Sequence, residues 1–207
     1  MWFAIVITVL ASYFMGNHNG AICVSAMMGD DVRSHGSGNA GLTNFIRNFG
    51  VGKAALVIFI NVGKAVLACL LGRLLLTPFD MALEGCVLGG AAVMLGHDFP
   101  ALQGFRGGKG ILSGWTIAWC VDWRIGLLIG AVFFTAYLLT GYVSLGSVLA
   151  GAAFCVGFLV FHWGNLWVML GGIWMSALTI FMHRGNIARL LKGQERKTNL
   201  LSKGKKQ

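Results

Sequence analysis

The chain has 207 residues, of which 57% are hydrophobic and 11% charged, with a mean hydropathy of +0.75. A soluble domain carries about 25% charged residues, so this composition excludes an ordinary soluble globular protein and reads as an all-α, polytopic membrane protein. The net charge of +9 is uneven, because half of the sixteen Lys and Arg fall in the last 25 residues. No folded basic domain accompanies that tail, which argues against nucleic-acid binding and for a cytoplasmic segment beside anionic headgroups, or a solvated tail that sets topology. Residues 1–195 read as one integral-membrane domain and 196–207 as the basic tail.

In chain order, residues 2–28 form the first apolar segment, interrupted by Gly16-Asn17-His18-Asn19-Gly20. It lacks a charged n-region and a clear cleavage site, so it is expected to stay as a span. Polar groups at that depth must face protein or water. Residues 29–50 read as a polar loop, and a second segment runs from Val51 to Leu76 with Asn61 and Lys64 inside it. Further segments follow at about 82–96, 108–121, 125–142, 144–161 and 165–182, giving about seven spans. With the C-terminus cytoplasmic and the N-terminus outside, Arg33, Arg47, Lys53, Arg106, Lys109 and the basic C-terminal set share the cytoplasmic side. Only Arg73 and Arg124 face out, a strong positive-inside bias. The five cysteines are far apart in apolar stretches and read as small core residues rather than disulfides or metal ligands.

Four polar segments fall on that cytoplasmic side. In GHDFPALQGFRGGKG (96–110), the backbone of Gly107, Gly108 and Gly110 and the Lys109 ammonium suit an anion at the start of a helix. It is not a P-loop, since Gln103 stands where the first glycine belongs and Gly110 replaces the magnesium-binding Ser/Thr; a plain glycine-rich connector is the alternative. Asp98, before Phe99-Pro100, reads as a cap. In SHGSGNAGLTNFIR (34–47), Gly36, Ser37, Gly38, Asn39, Thr43, Asn44 and Arg47 offer hydroxyls, amides, backbone N–H groups and a guanidinium fork for phosphate, or else a cap and loop. Ser144, in Thr140-Gly-Tyr-Val-Ser144, is a phosphate ligand or the cap of the next helix. His183, Asn186 and Arg189 share a face at helical spacing, as a basic juxtamembrane helix or the edge of a phosphate site. No nucleophile–base motif, carboxylate pair or metal-ligand cluster stands out, so neither a cofactor nor a metal is expected.

Three of these segments resemble the signature motifs of the acyl-phosphate:glycerol-3-phosphate acyltransferases, the PlsY family of bacterial inner-membrane enzymes. GSGNAGLTNFIRNFG (36–50) is similar to the first, GHDFPALQGFRGGKG to the second and HRGNIARLLKGQE (183–195) to the third. Asp31, Arg33 and Tyr142-Val-Ser-Leu145 also fit, in order and spacing over nearly the whole chain.

The resemblance implies a seven-helix enzyme with its site at the cytoplasmic face, moving an acyl group from acyl phosphate to the 1-hydroxyl of glycerol 3-phosphate. Its products would be lysophosphatidic acid and phosphate, and an acyl-phosphate-producing enzyme would be its functional partner. It implies catalytic roles for Ser37, Arg47, Lys109, His183 and Asn186, glycerol-phosphate binding by the Gly107–Lys109 turn, and a structural role for Glu195. The hydroxyl proton would pass to a substrate phosphate oxygen, or to His183 or His97. This chain departs from the family pattern at Gly16-Asn17-His18-Asn19 (commonly Gly-Ser-Ile-Pro), at Asn61 (usually acidic), at Gly141 (often Arg) and at Gly185 (commonly Glu). An organic-phosphate transporter or an inactive lipid-binding homologue are the competing readings; the transporter would explain Lys64 inside a span, but no internal repeat accompanies it.

Overall fold

The computed structural model describes residues 1–197, so most of the basic tail lies outside the described residues. Among the described residues the regular structure is entirely helical. Helices α1 (Trp2–Asn17) and α2 (Gly20–Ala26) are two parts of one interrupted segment, followed by α3 (Leu42–Phe49), α4 (Ala54–Leu76) and α5 (Ala82–Asp98). Then come α6 (Ile111–Val121), α7 (Trp123–Thr140), α8 (Val143–Phe161), α9 (Leu166–Met182) and α10 (Arg184–Leu191).

Four helical segments are long and apolar enough to cross a membrane, those built on α4, α5, α7 and α8. The bent pair α9–α10, angled by 56°, makes a fifth if it counts as one span. The other two segments of the expected seven, α1 and α6, are shorter apolar helices of 16 and 11 residues. Large apolar side chains such as Phe3, Phe59, Leu74, Leu138 and Leu139 point outward and are mostly exposed, as lipid-facing positions should be.

Helix α5 is the centre of the bundle, packed against α1, α4, α6 and α9. Small residues make this possible. A Cβ on Gly72 of α4 would lie 1.9 Å from the Gly85 carbonyl oxygen, and one on Gly85 would lie 2.1 Å from that of Gly72. Without a hydrophobic force between helices in lipid, such backbone-to-backbone approach supplies the packing energy. Gly85→Val therefore forces α4 and α5 apart. It is expected to cost at least the upper end of the ~1–3 kcal/mol typical of overpacking, read as a lower thermal transition in detergent.

The stretch expected as a featureless loop at 29–50 is folded. A 3-10 turn at Val32–Ser34 and helix α3 close over a small core of Ala21, Ile22, Val24, Val32, Ala40, Phe45 and Val57. Leu42, Phe45 and Phe49 form one apolar helical face, which the surrounding Ser, Asn and Gly residues concealed in the sequence.

The break between α1 and α2 is fully satisfied. Asn19 caps α2 by accepting from Ala21 N (2.9 Å) and Ile22 N (3.4 Å), while its Nδ2 donates to Ala40 O at 3.0 Å. The buried Lys64 donates its three hydrogens to Gly16 O (2.9 Å), His18 O (3.1 Å) and His97 Nδ1 (2.9 Å). An ammonium has three donors and no acceptor, so this is a saturated anchor that ties α4 to the helix break and to α5.

Candidate active site

All the polar segments singled out in the sequence meet at one end of the bundle, around a cavity of about 850 Å³. Arg33 joins the first two. It pairs with Asp31 at 2.9 Å and its Nη1 donates to Gln103 O at 2.9 Å. Ala40 N also reaches Gly107 O at 3.4 Å.

In the first segment, Gly36, Ser37, Gly38, Asn39, Thr43 and Arg47 line the cavity. Asn44 has a different task from the expected one. Its Oδ1 accepts from Ser37 N at 3.1 Å, and its Nδ2 faces the carbonyls of Val32, His35 and Asn39 at 3.0–3.1 Å. At 3% exposure it shapes the loop that presents Ser37 and leaves no donor over for a ligand.

The second segment also corrects an expectation. Lys109 and Gly110 line the cavity, whereas Gly107 and Gly108 do not. The Gly108 N–H donates to His97 O at 3.1 Å, so it is not aimed at an anion. These glycines serve close packing: a Cβ on Gly107 would lie 2.1 Å from His97 O, and one on Gly108 would lie 2.2 Å from His97 Nε2. Asp98 is no cap either, since both carboxylate oxygens are buried without a hydrogen-bond partner.

The third segment sits on the bend between α9 and α10. His183 Nδ1 lies 2.8 Å from Thr179 O, which can only accept, so Nδ1 carries the proton and Nε2 is left as an acceptor. His183 is buried and lines the cavity. His97 has the opposite tautomer, because Lys64 donates to its Nδ1 and leaves the proton on Nε2. Of the two histidines, His183 is therefore the one able to take a proton.

Lys109 donates to Asn186 Oδ1. Asn186 Nδ2 donates to Glu195 Oε1 at 2.8 Å, and Arg189 Nε donates to Glu195 Oε2 at 2.7 Å. Glu195 thereby fixes which way the Asn186 amide faces. Burial raises the Glu195 carboxyl, but the bonds from Asn186 and Arg189 and the neighbouring Ser144 hydroxyl outweigh it and hold the group below its ordinary value. Ser144 does not cap α8; it is buried against this cluster, off hydrogen-bond geometry. Burial pushes the Lys109 ammonium down to about 8, aided by repulsion from Arg189 and opposed by Glu195.

Sequence reasoning missed several of the cavity residues. Arg184 and Arg196 line it together with Arg47, Lys109 and the expected Arg189, against the Glu195 carboxylate. In the sequence Arg196 reads as part of the tail, and only the fold-back after Gly193, which has a positive φ of 65°, brings it to the cavity. Asn61 also lines the cavity, and its Oδ1 accepts from Gly20 N at 3.2 Å. An amide there satisfies the first N–H of α2 without adding a charge. Buried Asn17 accepts from Leu102 N at 2.9 Å and so holds the turn leading to Lys109. Two departures from the family pattern thus have structural tasks of their own.

A helical membrane protein with a cation-rich cavity at a bundle end, continued by apolar walls, is the class that this fold and site define. The comparisons with known proteins are specific within that class. The glycerol-3-phosphate acyltransferase family model matches residues 6–193, so the chain belongs to that family. A glycerol-3-phosphate acyltransferase of Thermoanaerobacter sp. (strain X514) is 38% identical over 93% of this chain and 94% of its own. One from Clostridioides difficile (strain 630) is 36% identical over 94% and 96%. The fold is similar to the crystal structure of PlsY (YgiH), an integral membrane glycerol 3-phosphate acyltransferase, in its glycerol 3-phosphate form. The TM-score is 0.84 and the identity 30%, over 95% of this chain and 96% of that one. Its lysophosphatidic acid form gives a TM-score of 0.81.

Proposed function

We propose that this acyltransferase uses acyl phosphate as its donor and acylates the 1-hydroxyl of sn-glycerol 3-phosphate, giving lysophosphatidic acid and inorganic phosphate. The observation that carries the reading is the Lys109–Asn186–Glu195 relay beside Arg47 and His183, a cationic cluster with few carboxylates and an apolar extension. Two phosphate-bearing substrates, one of them with a long chain, match such a cavity. The glycerol 3-phosphate and lysophosphatidic acid forms of the related structure support the same substrate and product.

In this reading residues 1–195 form a single unit with seven spans, α1 with α2 and α6 included, in a bacterial inner membrane. The N-terminus lies outside and the cavity opens to the cytoplasm, an orientation supported by the distribution of Lys and Arg. Lys109, Asn186 and Arg47 bind phosphate, and Ser37 with the glycines of its loop contacts the second phosphate. The glycerol hydroxyl oxygen attacks the carbonyl carbon, the bond from that carbon to the phosphate oxygen breaks, and the departing phosphate takes the electron pair, stabilised by the same cations. The proton passes to a phosphate oxygen of the substrate. His183 Nε2 is a second acceptor, favoured by its lone pair at the cavity wall.

Phosphate release by the purified protein, given palmitoyl phosphate and glycerol 3-phosphate, tests the reaction; release that ignores either substrate would sink it. The two proton paths separate in His183→Gln, which keeps an acceptor but cannot carry the proton. Transfer to substrate phosphate predicts kcat within about 10-fold of wild type. Transfer to the imidazole predicts a loss of ~10²–10⁴-fold.

A further inference from the structure

The cavity has a second end that phosphate chemistry does not use. From the cations it continues between α6, α7 and α8, along Leu112, Trp115, Ile129, Gly130, Phe133 and Ala150. This arm is apolar in character. The Ser147 hydroxyl on its wall turns back to Val143 O at 2.9 Å, and the Trp115 indole N–H donates to Gly126 O at 2.8 Å.

Depth and closure both point to the same side chain. Gly130 precedes Gly141, the cap of α7, by eleven positions, and Val143 and Ser144 just beyond that cap line the cavity beside Glu195 and Arg196; at ~1.5 Å per residue that is about 16 Å. Half of a hydrocarbon layer about 30 Å thick is nearly the same distance. At that depth the Trp115 indole crosses from α6 to α7. It is pinned by its bond to Gly126 O, lies against Gly130, where a Cβ would come within 3.1 Å, and meets Phe134 edge-on at 6.0 Å between ring centres. One turn further along α6, Trp119 lies against Gly126, where a Cβ would come within 2.6 Å of the ring, so the gap between the two helices is closed beyond the indole.

We propose that Trp115 is the floor of the acyl-chain site and sets the longest chain the enzyme handles well. The proposal rests on the acyltransferase reading and adds a specificity determinant to it. The donor's carbonyl end sits among the cations, its chain runs down the arm, and its terminal methyl meets the indole. Gly130 is the matching half of the device, since a side chain there would crowd the indole, and Gly126 makes the same room for Trp119.

The test uses the full chain in detergent with saturated acyl phosphates of increasing length and fixed glycerol 3-phosphate, recording kcat/KM for each donor. Trp115→Leu deepens the arm and should raise the ratio of long-donor to short-donor kcat/KM by about 10-fold, the scale of a methylene-sized change in an apolar pocket. Gly130→Leu fills the arm and should lower the same ratio. Opposite shifts are the signature, because a general loss of packing would not move the ratio in two directions; melting temperatures confirm that both variants are folded. Turnover with an unchanged chain-length profile in both variants overturns this inference alone. Absence of turnover by the wild type with every donor overturns the acyltransferase reading, and this inference with it.

Discussion

Lys109→Ala is expected to lower kcat/KM for glycerol 3-phosphate by ~10²–10³-fold, the cost of removing one preorganised charge from a half-buried site. The size follows from its surroundings. Lys109 donates to Asn186 Oδ1, and Asn186 is held by Glu195, so the lysine is aimed rather than mobile. Deleting it leaves the Asn186 oxygen without its donor and shifts the balance of the relay. Lys192→Ala, at the exposed end of α10, removes the same charge outside the cavity and should change the rate little. A loss shared equally by both variants would mean that only the overall field matters, and the assignment of Lys109 would fail. The same residue sets an alkaline limit. With its ammonium at about 8, burial being the first cause, Lys109 is charged below that pH and loses its proton above it. The free enzyme's kcat/KM should therefore fall as pH rises through 8. Lys109→Arg, which stays charged, should flatten that limb even if its overall activity is lower.

How much of this could be read from the chain differs from residue to residue. The helical membrane class was legible because a long apolar run is a strong signal, and the family was legible because three motifs kept their order and spacing. Helix α3 was obscured: its apolar face of Leu42, Phe45 and Phe49 is carried on a sequence whose Ser, Asn and Gly content otherwise denotes a loop. The jobs of individual polar residues were the least legible. Asn44 and Ser37 look equally suited to a phosphate and both line the cavity, yet the Asn44 amide is already committed to three carbonyls. Lys64 read as a transport-type charge in a span, whereas its three bonds close the α1–α2 break and set the His97 tautomer. Residue type fixes what a group can bind, and only the fold decides which partner reaches it first.

Glycine-to-alanine changes in the turn before Lys109 should be severe, and in a definite order. Gly107→Ala places a methyl 2.1 Å from His97 O and 2.7 Å from Asp98 O, both backbone atoms at the end of α5 that cannot rotate away. Gly108→Ala meets the His97 ring at Nε2 instead, with Ala40 O at 3.1 Å. A histidine side chain could ordinarily swing aside, but Lys64 holds this one through Nδ1, and Lys64 is itself held by Gly16 O and His18 O. Both substitutions therefore push the turn outward and carry Lys109 with it, and a displacement of about 1 Å at a positioned group costs on the order of 10²-fold in rate. Gly107→Ala should lose more activity than Gly108→Ala and show the lower melting temperature. Adding Lys64→Met to Gly108→Ala should free the ring, so that the turn no longer responds to the extra methyl. Activity of the double variant would then equal that of Lys64→Met alone. Additive losses in that cycle would show that the lysine and the glycine act independently, and the link from the helix break through His97 to Lys109 would be wrong.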